Sequence, residues 1–232
     1  MRKFLLASAL AAVPLLPAHA VLQLSLDING VTFSCVDNTA CDTNPLIGTL
    51  VTGNMTFAGV DFLGSAQTQL VGGINELTTT SFQVTNTNST AITYQVAVGG
   101  TDFVGPVTAI DQTGSGTFTN AIGSTTDLAY AASAANIQGA NTPTDLPGTP
   151  LSDSGVITAT TLADSINYNA VTPFSAAGLY SMTMGAGGSL TAGGQFTGRS
   201  QSEIAVNAPE PGTLALLGVG LLGLGFVVRR RA

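Results

Sequence analysis

Residues 91–98 read Ala-Ile-Thr-Tyr-Gln-Val-Ala-Val, and this stretch decides the fold class. The larger apolar side chains of Ile92, Tyr94, Val96 and Val98 stand at every second position, which is the period of a β-strand with one buried face. Residues 21–27 repeat the pattern with leucine at alternate positions. Both segments therefore predict strands of an antiparallel sheet with one face toward a core.

More short segments of this kind occur along the chain, separated by Gly and Asn residues that favour turns. The further strands predicted in this way cover residues 77–85, 116–122, 155–161, 179–184, 194–197 and 203–206. Threonine, a β-branched residue that favours strands, occupies 31 of the positions 21–208. The pattern predicts an all-β fold, an antiparallel β-sandwich of jelly-roll-like topology.

Two segments do not show the strand period. Residues 127–137 are rich in alanine and fit either a helix or a strand. Residues 138–153 contain Pro143, Pro147 and Pro150, which predicts an exposed loop that forms a long connection within the sandwich.

The N terminus has the features of a secretory signal peptide. Arg2 and Lys3 precede an apolar run over residues 4–16, and residues 18–20 read Ala-His-Ala. Small residues at Ala18 and Ala20 suit signal peptidase, which we expect to cut after position 20. Residues 1–20 are therefore predicted to be a signal helix, and residues 21–208 an exported domain.

The C terminus has the features of a membrane-spanning segment. Residues 209–211 read Pro-Glu-Pro, and residues 212–228 are 17 positions without a charge. As a helix with a rise of about 1.5 Å per residue, this run would span roughly 26 Å, close to the ~30 Å hydrocarbon core of a bilayer. A buried core helix is the alternative, but the run is apolar on every side and ends in three arginines. These arginines predict a C terminus that stays in the cytoplasm.

The order of these elements resembles the PEP-CTERM sorting signal of exported bacterial proteins. The resemblance implies that exosortase, a membrane-embedded cysteine protease, recognises Pro209, Glu210 and Pro211. It also implies that the chain is held transiently in the membrane and then passed to the cell surface or the extracellular matrix. Ala208 stands where valine is commoner in this family. The membrane-retention charges that the resemblance assigns are Arg229, Arg230 and Arg231.

A weaker resemblance concerns the exported domain itself. Residues 42–48 and 181–189 are similar to segments of exported domains that precede the same sorting signal. Those domains look like β-sandwiches without an assigned activity. The resemblance implies the same fold here and no particular chemistry.

The charges of residues 21–208 exclude several functions. Twelve of the thirteen acidic residues lie in this range, and of the six basic residues only Arg199 does, so the net charge is about −11. A surface of this charge repels nucleic acid, which is therefore not an expected partner. The single histidine, His19, leaves with the signal peptide, which excludes serine–histidine catalysis and histidine-ligated zinc.

Carboxylate chemistry is the remaining route to catalysis, since glycosidases work with two acidic side chains. Glu76 and Glu203 are the only glutamates of the exported domain, and the sequence does not place either of them near a partner. We therefore expect a protein that is not an enzyme, with a carboxylate-based glycan hydrolase as an alternative.

Two cysteines, Cys35 and Cys41, lie close together in an exported segment. An even number of cysteines in an oxidising compartment predicts a disulfide. A metal or redox site is the alternative, but a lone pair at this spacing without histidine supports neither.

The same loop carries candidate calcium ligands. Asp37, Asp42 and Asn44 cluster around the cysteines, and Asp27 and Asn29 are further candidates. Oxygen ligands of this kind suit Ca²⁺, although Asp and Asn also favour turns by bonding to nearby backbone groups. Calcium is the only cofactor that the sequence offers.

Sugar binding usually relies on exposed aromatic rings. The exported domain has no tryptophan and four tyrosines, Tyr94, Tyr130, Tyr168 and Tyr180. Tyr94 belongs to an apolar strand face, which predicts a core position rather than a binding platform.

The sequence as a whole predicts a non-enzymatic exported protein of the cell surface or extracellular matrix, associated with exopolysaccharide or biofilm. Its expected partners are signal peptidase, exosortase, the membrane before cleavage, and extracellular polysaccharide. The alternatives are an adhesin-type module that binds polysaccharide or calcium, and the glycan hydrolase.

Overall fold

The alternating leucines at the start of the exported domain form an inward-facing row. Leu22, Leu24, Leu26 and Ile28 are all fully buried on the first strand, as their period predicts. The structure, a computed structural model, describes residues 21–71 and 74–205. The predicted signal helix (1–20) and transmembrane helix (212–228) lie outside these residues. Within the part that is described, no helix is long and apolar enough to cross a bilayer.

The described residues form two antiparallel sheets. Their strands are β1 (Leu22–Ile28), β2 (Val31–Val36), β3 (Thr49–Phe57), β4 (Val60–Val71), β5 (Ile74–Asn86), β6 (Ile92–Val104), β7 (Val107–Thr119), β8 (Thr125–Ser133), β9 (Thr149–Asp153), β10 (Ile157–Thr158), β11 (Ala163–Ala176), β12 (Leu179–Leu190) and β13 (Gln195–Ala205). Sheet A has the order β10-β8-β12-β6-β1-β2, with β9 also paired to β8, and sheet B has the order β11-β7-β13-β5-β4-β3. The prediction of an all-β antiparallel sandwich is confirmed.

An aromatic cluster joins the two sheets at the centre of the core. The ring of Phe196 on sheet B lies 4.8 Å from that of Phe118 and 5.7 Å from that of Phe82, measured between centroids. It also lies 6.1 Å from the ring of Tyr94 on sheet A. Phe118, Tyr94 and Phe196 are fully buried. Burial of large rings contributes much of the hydrophobic free energy of a core, so this cluster is a main source of the sandwich's stability.

The ambiguous segment 127–137 is mostly a strand. Strand β8 continues to Ser133 and pairs with β12. Leu128, Tyr130 and Ala132 occupy alternate positions on its inner side and are buried, which is the period of a strand.

The prediction of an exposed loop for residues 138–153 is wrong in two respects. Its last part is strand β9, and the part before it packs against the outer face of sheet A. The Nε2 group of Gln138 donates to the carbonyl of Gly99 at 3.3 Å, and Ser181 Oγ donates to the carbonyl of Ile137 at 2.6 Å. Gly99 has no side chain, and a Cβ there would lie 2.6 Å from the carbonyl oxygen of Gly139. Glycine at positions 99 and 139 therefore allows this segment to pack closely on sheet A, whereas its prolines predicted an exposed loop.

Several strand boundaries also differ from the predictions. The predicted strands 194–197 and 203–206 belong to one continuous strand, β13, and the strand predicted at 155–161 is reduced to β10. The strand predicted at 116–122 is the end of the longer β7 and stops at Thr119. Strands β2, β3, β4, β9 and β11 were not predicted, because polar residues occupy both of their faces or their apolar period is short.

Candidate functional site

The outer faces of the two sheets differ in accessibility. On sheet A, outward-facing Ser25, Ala97 and Thr183 are buried, and the segment 134–148 packs on this face, with Gly139 directly over Thr183. On sheet B, the outward-facing side chains of β7, β13 and β11 remain exposed or half-buried. Sheet B therefore presents the open surface of the sandwich.

Nine outward-facing residues on three neighbouring strands of sheet B form a surface that we call the polar patch. The strands pair in the order β11-β7-β13, which aligns these residues in three rows. Asn167, Ser115 and Arg199 form the middle row. The rows on either side are Asn169, Thr113 and Gln201, and Ser165, Thr117 and Thr197.

The side chains of the polar patch have few partners of their own. Gln201 donates from Nε2 to Glu203 Oε2 at 3.0 Å. The other eight side chains make no hydrogen bond to any residue that the structure describes. The buried Asn86 at the end of β5 behaves differently, since its side chain alone donates to the carbonyls of Thr90, Leu190 and Thr191. The hydrogen-bonding groups of the patch are therefore free to bind a ligand.

Arg199 occupies the centre of one side of the patch. Two shallow depressions, of about 300 Å³ and 430 Å³, meet at the middle row, and Arg199, Ser115 and Asn167 line both of them. Arg199 is exposed and has no ion pair or hydrogen bond with any described residue. Arg199 is the one base of the exported domain, but no pattern in the sequence predicts it as a site residue.

The tyrosines provide no exposed platform of aromatic rings. Tyr94 and Tyr180 are fully buried, and their hydroxyl groups bond to Thr126 and Asn75 respectively. The core position predicted for Tyr94 is confirmed.

Of the other two tyrosines, Tyr130 lies beneath the polar patch and Tyr168 lies at its rim. Tyr130 is buried and donates its hydroxyl to the carbonyl of Thr113 at 2.9 Å, and burial raises its pKa to about 12. Tyr168 is half-buried at the rim of the depression, and its ring stacks on that of Tyr130 with centroids 5.9 Å apart.

The predicted disulfide is present. Cys35 and Cys41 are bonded, with their Cα atoms 5.7 Å apart. Cys35 lies at the end of β2 and is fully buried, so the bond anchors the following loop to the core.

The candidate calcium ligands of this loop bind its own backbone. The carboxylate of Asp42 accepts N–H groups of Asn38, Asn44 and Val51 at 2.9 to 3.1 Å. Asp37 Oδ2 accepts the N–H of Gly48 at 2.6 Å, and its Oδ1 is buried without a partner among the described residues. These contacts fit the turn interpretation, and calcium binding stays a prediction.

The two Asp residues of the loop differ in proton affinity. Burial raises the pKa of Asp37, and the nearby carboxylate of Asp42 raises it further. Partial burial opposes ionisation of Asp42 as well, but its backbone hydrogen bonds outweigh this and lower its pKa.

Asp27 and Asn29 do not join this loop. They lie at the β1–β2 turn, at the opposite end of β2 from Cys35. Asp27 Oδ1 accepts the N–H of Gly30 and Asn29 Oδ1 accepts that of Thr93. Among the residues described, His, Cys, Asp and Glu form no group of three or more that could hold a metal ion.

The two glutamates do lie near partners, which the sequence could not show. Glu203 on β13 stands opposite Glu76 on β5 and opposite Asp111 on β7. Gln69 and Thr78 donate to the carboxylate of Glu76. The two depressions of the polar patch are not lined by any of these three acids.

A second pair of acids lies on sheet A. Asp127 lines a groove of about 380 Å³ together with Gln95, Thr144 and Leu146. Burial raises the pKa of Asp127, and the carboxylate of Asp153, which is in hydrogen-bond contact with it, raises it further. Glycosidases hold their two carboxyl groups about 5 to 9.5 Å apart so that sugar or water fits between them. A pair in mutual contact leaves no such space.

Comparisons with solved structures find distant similarities of fold. The module TmCBM61 in complex with beta-1,4-galactotriose is 12% identical, with a TM-score of 0.33 over 63% of this chain and 88% of that one. The C-terminal CBM6 of LamC, a laminarinase of Zobellia galactanivorans, is 10% identical, with a TM-score of 0.26 over 66% of this chain and 98% of that one. A protein of the infectious bursal disease virus Gx strain is 11% identical, with a TM-score of 0.31 over 83% of this chain and 57% of that one. Similarities of this size do not identify a ligand.

Comparisons of sequence are informative only at the C terminus. No curated protein matches the chain significantly. The family model of the PEP-CTERM protein-sorting motif matches residues 207–231, a range that includes the Pro-Glu-Pro residues and all three terminal arginines. The chain therefore carries a PEP-CTERM protein-sorting motif, which marks it as an exported protein.

Proposed function

We propose that this protein is a non-catalytic protein of the cell surface or extracellular matrix that binds polysaccharide with its polar patch. One observation supports the proposal above the others. Eight of the nine patch side chains have no hydrogen-bonding partner among the described residues, although they lie side by side on three paired strands.

The chemistry of the patch suits sugar hydroxyl groups. Ser and Thr hydroxyls and Asn side-chain amides each supply both donors and acceptors, as sugar hydroxyls do. The rows are separated by two residues along each strand, so the patch measures about 13 Å along the strands and about 10 Å across them. A short run of sugar rings fits on a surface of this size.

We expect the affinity of one patch to be low. Each hydrogen bond to the ligand replaces one to water and contributes about 0.5–1.5 kcal/mol net. Without an exposed aromatic platform, a dissociation constant on the order of 1 mM is expected. A long polymer that contacts many protein copies raises the overall avidity without any new contact.

The sorting motif supports the proposed destination. In the proposed sequence of events, signal peptidase removes residues 1–20 and the C-terminal segment holds the chain in the membrane with its end in the cytoplasm. Exosortase then cuts near residues 209–211, and the exported domain joins exopolysaccharide or a biofilm matrix.

Affinity electrophoresis tests the proposed function. The full chain, purified in mild detergent, is run through gels that contain neutral or acidic polysaccharides. We expect retardation that is lost when Asn167 and Asn169 are both changed to alanine. The matched control is Asn54→Ala, since Asn54 is exposed on β3 of the same sheet, away from the patch. Equal retardation of both variants and the unchanged chain would contradict a role of the patch.

A parallel assay tests the absence of catalysis. Prolonged incubation with each polysaccharide should release no reducing ends. Release that depends on Glu76 or Glu203 would instead support the hydrolase alternative.

A further inference from the structure

We propose that Arg199 recognises a uronate carboxylate, so that the polysaccharide bound by the patch is one whose acidic sugars are separated by neutral ones. This inference rests on the proposed function and specifies its ligand. The side chain of Arg199 has an unusual position in a domain that otherwise contains no base.

Arg199 is placed as a ligand-binding group rather than a structural one. A lone arginine on an acidic protein would gain from an ion pair, yet twelve acidic residues in its domain provide none among the described residues. It lies instead in the middle row of the polar patch, at the junction of the two depressions. A sugar ring in either depression would lie beside the Arg199 side chain.

The neighbours of Arg199 complete a site for an acidic sugar. Ser115 stands directly opposite it on β7, and Asn167 stands opposite Ser115 on β11. A guanidinium group binds a planar carboxylate with two parallel hydrogen bonds. The hydroxyl of Ser115 and the amide of Asn167 are then available to the hydroxyl groups of the same sugar.

The acids of sheet B set the spacing of charge that a ligand can have. Glu203 lies four residues from Arg199 on β13, which is about 13 Å along the strand, and Asp111 pairs with Glu203 in the same row. Asp61 lies in the row of Gln195, which is about 13 Å in the other direction along the strands, but it is on β4 and so about 10 Å further across the sheet. Asp164, near the patch on β11, binds the N–H of Thr160 instead.

Screening by salt determines how strongly these acids affect a carboxylate bound at Arg199. The Debye length at physiological ionic strength is about 8 Å, so acids about 13 Å away weaken the attraction of Arg199 for one carboxylate only slightly. A polymer that lies along the strands with a carboxylate on every sugar, however, places further charges beside Glu203 and Asp111. Dense polyuronates are therefore disfavoured, and isolated uronates are favoured.

Four probes separate the chemistries in affinity electrophoresis of the full chain. Deacylated gellan carries glucuronates separated by neutral sugars, and carboxyl-reduced gellan is its neutral counterpart. Polygalacturonate carries a carboxylate on every sugar, and dextran sulfate carries sulfate in place of carboxylate. We expect gellan to bind at least about tenfold more tightly than the other three, a difference of about 1.4 kcal/mol.

Variants of Arg199 complete the test. Arg199→Gln should bind gellan and carboxyl-reduced gellan equally, and Arg199→Lys should recover only part of the preference because an ammonium group cannot form the paired hydrogen bonds. Asn54→Ala is the control and should keep the full preference.

The outcomes distinguish this inference from the proposed function. Equal binding of the two gellan forms by the unchanged chain would overturn the role of Arg199 and leave polysaccharide binding intact. Preference for dextran sulfate or polygalacturonate would overturn the assignment to isolated carboxylates. Failure to bind any of the four polymers would overturn the proposed function as well.

Discussion

The glycine at position 116 gives the sharpest prediction about the core. Gly116 lies on β7 opposite Gly198 on β13, directly over the ring of Phe196. A methyl group added by Gly116→Ala would lie 2.5 Å from Cζ and 2.6 Å from Cε2 of that ring. Carbon atoms in contact are separated by about 3.5–4.0 Å, so the ring would have to move by about 1 Å.

The ring of Phe196 has little room to move. It is fully buried and contacts the rings of Phe82, Tyr94 and Phe118. Inserting a methylene-sized group into a well-packed core typically costs about 1–3 kcal/mol. We therefore expect Gly116→Ala to lower the free energy of unfolding by this amount.

Urea unfolding of the full chain in detergent measures the effect. With a denaturant slope of about 2 kcal/mol per molar urea, the midpoint should fall by about 0.5–1.5 M. Gly178→Ala is the matched control, because no atom lies within 4 Å of its added methyl group and its φ is not in the left-handed region. We expect its free energy of unfolding to stay within about 0.5 kcal/mol of the unchanged chain.

A double-mutant cycle checks the cause. Phe196→Leu removes the two ring atoms that the new methyl group would meet, so Gly116→Ala should cost less in that background than alone. A Gly116→Ala variant as stable as the unchanged chain, or strictly additive effects in the cycle, would refute the packing argument.

Three further predictions concern the disulfide, the acidic loop and the sorting motif. Reduction of the Cys35–Cys41 bond reopens a seven-residue loop and should lower the free energy of unfolding by about 2 kcal/mol, measured as a lower Tm in reductant. The pKa of Asp37 is raised in the folded state, so the protonated carboxyl stabilises the fold at low pH and this stabilisation is lost as the pH rises through the folded-state pKa. Asp37→Asn, which removes the charge, should therefore raise the Tm at pH 7 but not at pH 3. An unchanged Tm at pH 7 would contradict this. Glu210→Ala should leave uncut precursor in the membrane fraction, and normal release would count against exosortase processing.

The sequence predicts those parts of the fold that depend on residues close together in the chain. The alternating apolar residues of β1 and β6 each indicate a strand without reference to the rest of the chain. The disulfide likewise depends on two cysteines close in sequence and on the exported compartment.

Other parts depend on pairings between distant residues. Asp164, Thr172 and Pro173 interrupt the apolar pattern of strand β11, and the segment is a strand because β7 pairs with it along most of its length. The covering of sheet A by the segment 134–148 depends on glycines in several strands, which no single stretch of sequence indicates.

The polar patch belongs to this second group. Its residues come from the ranges 113–117, 165–169 and 197–201, and only strand register brings them together. The one signal available in the sequence was the solitary Arg199. A single basic residue in an acidic domain indicates a function, but the residues around it can be named only from the structure.

Amide chemical-shift mapping tests the central claim most directly. The isotope-labelled full chain in detergent is titrated with gellan oligosaccharides while backbone N–H resonances are followed. If the polar patch binds polysaccharide, the largest changes will fall on residues 113–117, 165–169 and 197–201. Changes confined to the outer side of sheet A or to the disulfide loop would contradict the account.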